Sequence, residues 1–471
     1  MKEGTNAQAR QARMAGGLAM QQSAATTVSA SLVRAAAALA LVVVLVPASG
    51  LGQQPAPVLP AIPAPGKPTI PIIAQPPNGD KKENGLPEFS LGECIAIAIE
   101  RQPALRAVHS SQEATAAGQR ALHNIGRLGS LLSPDLPIRR QQADRGVIAA
   151  AADVQKLHNE VVHDVTRLYY SVVYARQQEQ LADDVVAQIK AFVEIADKVL
   201  KSTTPGDMTK LKFNSMLMGQ SQALELQADA SAGVKQAEAA LREVMGVQEC
   251  SIRFRVKDKE LPLMGQNAAL TSDQVVKMAL DGRPELALGA AAADAFRLEV
   301  YAQGQIRFKR SVPTLASGSD IHSRLLPTGS RDPGHDYRPE PISPEMPPQV
   351  VGSKADRVAR VIPYSHRMDA AYEKVRNLMI LESEKTFIDF EKATKRMAAS
   401  KDAFRASKDQ MELIREQFNE PKSPKEQLLL GYGQAAQAQA KYVEAVFQYL
   451  LTLAALERVT AGGVRPAFPG R

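Results

Sequence analysis

Residues 90–107, SLGECIAIAIERQPALRA, and residues 271–288, TSDQVVKMALDGRPELAL, are two copies of one motif, 181 positions apart. Each opens on a hydroxyl residue, Ser90 or Thr271, with Glu93 or Gln274 three places later. That spacing is a capping box, in which side chains and backbone satisfy each other's free donors at a helix start. About three helical turns follow. Pro103 or Pro284 then ends the helix, because proline lacks an N–H and crowds the residue before it. A leucine two places on, Leu105 or Leu286, restarts the apolar phase. Agreement of cap, phase, proline and leucine marks an internal duplication.

The copies continue beyond these motifs. Helical patterning over 139–201 and 367–418 passes through the turns STTPGD (Ser202–Asp207) and NEPKSP (Asn419–Pro424) into helices 207–246 and 424–461. Aligning the turns at offset 218 sets Tyr169-Tyr170 on Phe387-Ile388, so the long helices keep register. Each copy therefore reads as short helix, helix, long helix, tip turn, long helix. Within 161–200 the residues fall into sevens. Val161, Leu168, Ala175, Ala182, Ile189 and Ala196 form one line; Val165, Val172, Val186, Val193 and Leu200 form the other, broken at Glu179. The returning helix has Met216, Ala223, Ala230, Ala237 and Val244 beside Phe213, Gln220, Gln227, Val234 and Leu241. Sustained heptads predict left-handed coiled-coil packing, and short turns make each pair antiparallel. Residues 139–201 would span ~95 Å at the helical rise. Alanine-rich seams let a helix touch two neighbours, as in a curved wall closed by oligomerisation. Periodicity alone leaves a free-standing coiled-coil spacer equally open.

Composition agrees with thin helical packing. Aromatic residues are 5% of 471 and tryptophan is absent, which argues against a thick all-β core or a large α/β enzyme. The net charge of +7 arises from 57 basic and 50 acidic residues that alternate along the helices. No basic stripe or stacking aromatic cluster accompanies it, so nucleic acid is not an expected partner.

Residues 1–50 read as a leader. Arg34 precedes an apolar run from Ala35 to Val46, and Pro47 and Ala48-Ser49-Gly50 follow, which fits a cleaved export signal. Twelve apolar residues are too few to span a bilayer, which takes about 20. Residues 51–89, with ten prolines between 55 and 87, read as an extended tether. The folded copies are assigned to 90–270 and 271–464, the second with a Pro-rich insertion at 308–364, and 465–471 is a tail. Cys94 and Cys250 could pair in an oxidising compartment. The repeat partner of Cys94 is Val275, which favours a plain apolar role. One strand is expected at Ser251–Val256, where Ile252, Phe254 and Val256 alternate with Arg253 and Arg255.

These features together resemble the TolC family of outer-membrane efflux proteins. The resemblance rests on the two opening motifs and on VTRLYYSVVYARQQEQLA (Val165–Ala182). It rests also on the turn TTPGDMTKL (Thr203–Leu211) and the closing AEAALREVMGV (Ala237–Val247). It covers most of Ser90–Val464. It implies a mainly α protomer of duplicated antiparallel coiled-coil helices, a homotrimer, a periplasmic tunnel, and four strands per protomer in a shared outer-membrane barrel. It further implies passive export of small molecules or proteins, energised by an inner-membrane pump through a periplasmic adaptor. By matching position the adaptor would meet Thr203, Thr204, Pro205, Gly206 and Asp207, and Asn419, Glu420, Pro421, Lys422 and Ser423. The family's tips usually carry a Gly-Leu turn. Here Asp207 follows Gly206, and the second tip has prolines.

A membrane strand takes about 9–11 alternating residues. The first copy offers only Ile125–Ile138 between its helices. The second offers Phe308–Tyr364, with nine prolines. Proline is confined to strand edges and bulges, so the barrel strands are expected to be reduced or absent. A periplasmic structural or adaptor coiled coil lacking a membrane barrel is the alternative reading.

No catalytic constellation stands out, and no enzyme, metal or cofactor is expected. His158 and His163 in HNEVVHD are five apart rather than four, so they diverge around a helix and cannot share a metal as the zinc-protease signature requires. Asp207, Glu416 and Glu420 lie at or beside the tips; repeated threefold they could form an acidic ring at the tunnel end.

Overall fold

The structure, a computed structural model, describes residues 86–126, 133–201, 209–247, 254–263, 270–306, 353–418, 425–466 and 468–469, with backbone alone at 417–418 and 425–429. The leader, most of the tether and most of the insertion lie outside the described residues.

Among the described residues the chain forms eight helices and one two-stranded sheet. The first copy gives α1 (Leu91–Arg101), α2 (Pro103–Asn124), α3 (Leu136–Lys201) and α4 (Lys210–Val244); the second gives α5 (Ser272–Gly282), α6 (Pro284–Gln305), α7 (Lys354–Phe418) and α8 (Lys425–Val459). Paired elements are 11 and 11, 22 and 22, 66 and 65, and 35 and 35 residues long. The duplication seen in two short motifs thus extends through every helix.

Local chemistry sets these limits. Both capping boxes form: Ser90 accepts from the Glu93 N–H while Glu93 accepts from the Ser90 N–H, and Thr271 and Gln274 repeat the exchange. Pro103 and Pro284 each open the next helix at its first position, where no N–H is needed. At the far end, α4 closes with the Val247 N–H donating to the Arg242 carbonyl at 2.9 Å, and α8 with Gly462 donating to Glu457 at 2.8 Å. Both are the six-to-one bond of a Schellman cap. The residue before each takes positive φ, Gly246 at 67° and Ala461 at 49°.

Two compact units hold the described helices. Gln178–Ala232 and Ser407–Gln437 form a tip unit; Phe89–Gln177, Gly233–Ala406 and Ala438–Arg471 form a body unit. In the body, Cys94, Tyr169 and Leu241 are fully buried in the main core, and Val275, Phe387 and Leu456 make a separate cluster. The second trio is the repeat equivalent of the first, at offsets 181, 218 and 215. Cys94 is a free, buried thiol. Burial, with the nearby Glu93 charge, pushes its pKa up to about 12, which disfavours the thiolate and fits an apolar packing role.

The heptads are borne out. None of the named heptad residues of α3 or α4 is exposed, the glutamines Gln220 and Gln227 included. Each unit also shows the same order of neighbours. In the body, Arg176 of α3 bonds Glu238 of α4, Tyr174 of α3 stacks on Phe447 of α8, and Arg396 of α7 bonds Glu444 of α8. In the tip, Asp183 of α3 meets Gln227 of α4, Phe192 of α3 meets Tyr432 of α8, and Gln410 of α7 meets Gln434 of α8. The order is α4–α3–α8–α7 in both units, so α3 and α8 each have two long-helix neighbours.

Three sequence boundaries need correction. The long helix of the second copy starts at Lys354, not 367, so residues 354–364 leave the insertion. A Ser353–Asp356 capping box starts it, with Asp356 N–H to Ser353 Oγ at 3.3 Å and Ser353 N–H to Asp356 Oδ2 at 3.1 Å. Pro363 lies inside this helix. Its missing hydrogen bond is tolerated because Val361 and Met368 are buried on either side of it and Tyr364 packs beside Phe296. The tether ends earlier than 89, because β1 (Glu88–Phe89) pairs with β2 (Arg255–Val256). In that strand Val256 is buried, Arg255 is exposed, and Phe254 meets Phe89 at 5.3 Å between ring centres. Residues 251–253 of the expected strand lie outside the described residues. No described helix is long and apolar enough to cross a membrane.

Candidate functional site

The ten tip residues, 203–207 and 419–423, lie outside the described residues, as do Asp207 and Glu420 of the acidic trio. Glu416 is described and exposed, in the last turns of α7. The helices leading to the turns are well defined. Arg415 of α7 donates to the Tyr432 hydroxyl through Nε at 3.2 Å and Nη2 at 2.9 Å, with its guanidinium 5.7 Å from the ring centre. Phe192 of α3 meets the same ring at 5.8 Å. Tyr432 therefore joins three helices just behind the second turn. Gly431 beside it allows the close approach of α7, since an added Cβ would stand 2.7 Å from the Ile414 Cδ1.

The body unit carries two buried ionic nodes. In the first, Glu382 of α7 is 3% exposed and receives Arg283 on one oxygen and Arg458 of α8, at 2.6 Å, on the other. Arg283, 4% exposed, also holds Glu285 at 2.6 Å. Burial disfavours charge on Glu382, but Arg458 and Arg283 outweigh it and hold the carboxyl below the usual range. Burial likewise opposes the Arg283 charge, and Glu382 and Glu285 overcome it and raise its pKa. The carboxylate thus ties the α5–α6 joint and α8 to α7. Beside it opens a cleft of about 190 Å³, with Arg167 of α3 and Lys385 of α7 among its lining residues.

The second node joins the copies near the start of α3. Arg139, 4% exposed, is paired with Glu299 of α6 and with Asp135 at 3.2 Å. Gln142 donates to Glu299 at 2.9 Å and Gln303 does so at 2.7 Å, so the buried carboxylate is fully engaged. Next to it two arginines make equivalent clamps. Arg140 of α3 donates to the carbonyls of Leu122 and Ile125 at 3.0 and 2.6 Å. Arg357 of α7 donates to those of Gln303 and Ile306 at 3.5 and 2.9 Å. The four carbonyls are repeat equivalents, 181 residues apart.

A signal for the first node was present in the duplication. Arg283, Glu382 and Arg458 align with Gln102, Asp164 and Glu243, so the acid is kept at one matched position while arginine replaces a neutral and an acidic residue at the other two. The histidines part company: His158 is exposed and His163 is buried, 3.2 Å from Asp164. Among the described residues no three His, Cys, Asp or Glu side chains gather as metal ligands.

No family model matches the chain, and no curated protein sequence does. Solved structures do match. The MtrE outer membrane channel of Neisseria gonorrhoeae, in its open state, aligns with a TM-score of 0.59 at 17% identity, over 80% of this chain and 89% of that one. The CmeC outer membrane channel of Campylobacter jejuni gives 0.62 at 11% identity, over 81% and 87%. The outer membrane protein VceC of Vibrio cholerae gives 0.58 at 10% identity, over 80% and 97%. With the duplicated helices and their shared order, these likenesses mean that the chain has the fold of TolC-family outer-membrane channels.

Proposed function

We propose that this protein is the outer-membrane and periplasmic tunnel component of a tripartite efflux or type I secretion system, giving passive passage to small molecules or proteins. Three copies close the tunnel, a periplasmic adaptor binds the tips at 203–207 and 419–423, and an inner-membrane pump supplies the energy. The observation that carries this reading is the edge of the four-helix order. The outer member α4 shows Leu211, Leu217, Met218 and Leu224 at 78%, 38%, 53% and 47% exposure. They recur at seven-residue spacing, 211 with 218 and 217 with 224, as a second apolar seam left exposed among the described residues of the protomer. A further copy covers it. Asp207, Glu416 and Glu420, repeated threefold, then make a cation-favouring ring at the tunnel end.

The test is assembly state. Native mass spectrometry in mild detergent should show three copies, and Leu211→Glu with Met218→Glu should reduce that species to monomer. A monodisperse monomer for the parent chain would overturn the proposal.

A further inference from the structure

The cleft of about 190 Å³ in the body unit is walled by α3, α7 and α8. Its size limits what it takes. The volume far exceeds the roughly 10–15 Å³ that one water needs, and it falls short of the ~300 Å³ at which sites for drug-sized molecules begin. A small ion or head group with a few waters fits.

Each wall carries one cation: Arg167 of α3, Lys385 of α7 and Arg458 of α8. Arg167 and Lys385 are repeat equivalents at offset 218, so the duplication itself sets a basic residue on each long helix that neighbours α8. Arg458 departs from the repeat. Its equivalent in the first copy, at offset 215, is Glu243, so only the α8 side supplies a third cation.

The two carboxylates in the wall are already engaged. Glu382 receives Arg283 on one oxygen and Arg458 on the other, and Asp389 Oδ2 receives Lys385 at 2.9 Å. The hydroxyls are engaged within their own helices: Thr386 donates to the Glu382 carbonyl at 2.7 Å and Thr452 to that of Tyr449 at 2.8 Å. The cations retain donors, since a guanidinium has five N–H groups and an ammonium three. Arg167 is exposed, with Asp164 as far as 4.0 Å away. The Arg458 side chain is 8% exposed, and its buried Nε has no acceptor among the described residues. A buried donor left unmade is unfavourable, and an acceptor entering the cleft can satisfy it. An entering cation would instead meet three like charges.

We infer that this cleft is a binding site for a small multivalent oxyanion, phosphate or a phosphomonoester, held between Arg167, Lys385 and Arg458. Cationic donors approaching from three helices suit a tetrahedral group with several acceptor oxygens. The site is complete within one protomer, so it does not rest on the tunnel reading, and its failure would leave that reading untouched.

The test is calorimetric titration of the full chain in detergent with inorganic phosphate, at constant ionic strength in chloride. One saturable site per protomer is expected. Arg167→Gln and Lys385→Gln should each weaken it about tenfold or more, as loss of a charge-assisted hydrogen bond does. Neither side chain bonds Glu382, so both variants should melt with the parent when phosphate is absent, which separates lost binding from lost folding. Glycerol 3-phosphate distinguishes the source of the anion. Tighter binding than inorganic phosphate assigns the site to an esterified head group, and weaker binding assigns it to the free ion. Absence of saturable phosphate binding in the millimolar range, or affinity unchanged in both variants, would overturn the inference.

Discussion

Replacing Glu382 with glutamine should markedly lower the stability of the body unit. The carboxylate is 3% exposed and is the shared partner of Arg283 and Arg458, which are 4% exposed and half-buried respectively. Glutamine keeps the volume and leaves two guanidinia facing one neutral amide. Removing one partner of a buried ion pair costs about 3–5 kcal/mol, because the remaining charge stays desolvated. At about 2 cal/mol/K per residue, a unit of roughly 300 residues has an unfolding entropy near 0.6 kcal/mol per degree, so the melting midpoint should fall by ~5–8 °C. Circular dichroism of the detergent-solubilised protein reads this directly. The pH dependence gives a second check. The folded carboxyl sits below its unfolded value of about 4.3, so its contribution is complete above that value and disappears as pH falls through the folded one. The gap between parent and Glu382→Gln should therefore narrow below about pH 4. Replacing the whole node, Glu382→Leu, Arg283→Met, Arg458→Met and Glu285→Gln together, should recover much of the loss, since apolar replacement of a whole buried network is often neutral. A Glu382→Gln midpoint within a degree of the parent at pH 7 would show that the node carries no net stability.

Arg140→Ala removes two donors from the α2 carbonyls at a cost of about 1–3 kcal/mol, and hydrogen exchange should quicken first in the last turn of α2. Gly246→Ala forces a side chain onto a φ of 67° and sets its Cβ 2.7 Å from the Arg101 carbonyl, so about 1–3 kcal/mol of strain should appear in the melt; Ala461→Gly at the matched position should be nearly neutral. Tyr432→Phe deletes the acceptor for Arg415, a loss of about 0.5–1.5 kcal/mol, and a double-mutant cycle with Arg415→Ala should recover it as coupling. Asp207→Arg with Glu420→Arg should lower drug tolerance in a strain that depends on this conduit while the three-copy species persists in native mass spectrometry.

The helices were legible because their signals are local and repeated. Ser90 with Glu93 and Thr271 with Gln274 cap as their spacing requires, and the heptad residues are buried or half-buried as their pattern predicts. The start of α7 was not legible. Eight nearby prolines and Pro363 itself masked a capping box at Ser353, and what carries a helix through Pro363 is burial of Val361 and Met368, a tertiary effect. The ionic nodes were hidden for a related reason. A charge on a long helix reads as solvated unless its partner is known, and the partners here lie far off in sequence, Arg139 with Glu299 and Arg283 with Glu382. Comparison between the copies was the one sequence route to them.

The two copies keep their outline and exchange their chemistry, and the proposed assembly explains why. Three protomers of two copies each would set six similar segments around one axis, so each α3 and each α7 must reach its tip turn at the same level. They do so within one residue, 66 against 65, which is about 1.5 Å of helix rise. The returning helices are equal at 35. Inside that outline the joints differ. Gly246 presses against the Arg101 backbone in the first copy, whereas in the second Ala461 holds the cap position and the facing residue is Gly282. One joint sets Tyr169 and Leu241 in the main apolar core, and its counterpart adds an ion triad beside Phe387 and Leu456. The large length difference falls only at the joints away from the tips, eleven residues against 48. In the proposed assembly an adaptor that grips six tips would hold them to one level, which is the constraint that the matched lengths of α3 with α7 and α4 with α8 satisfy.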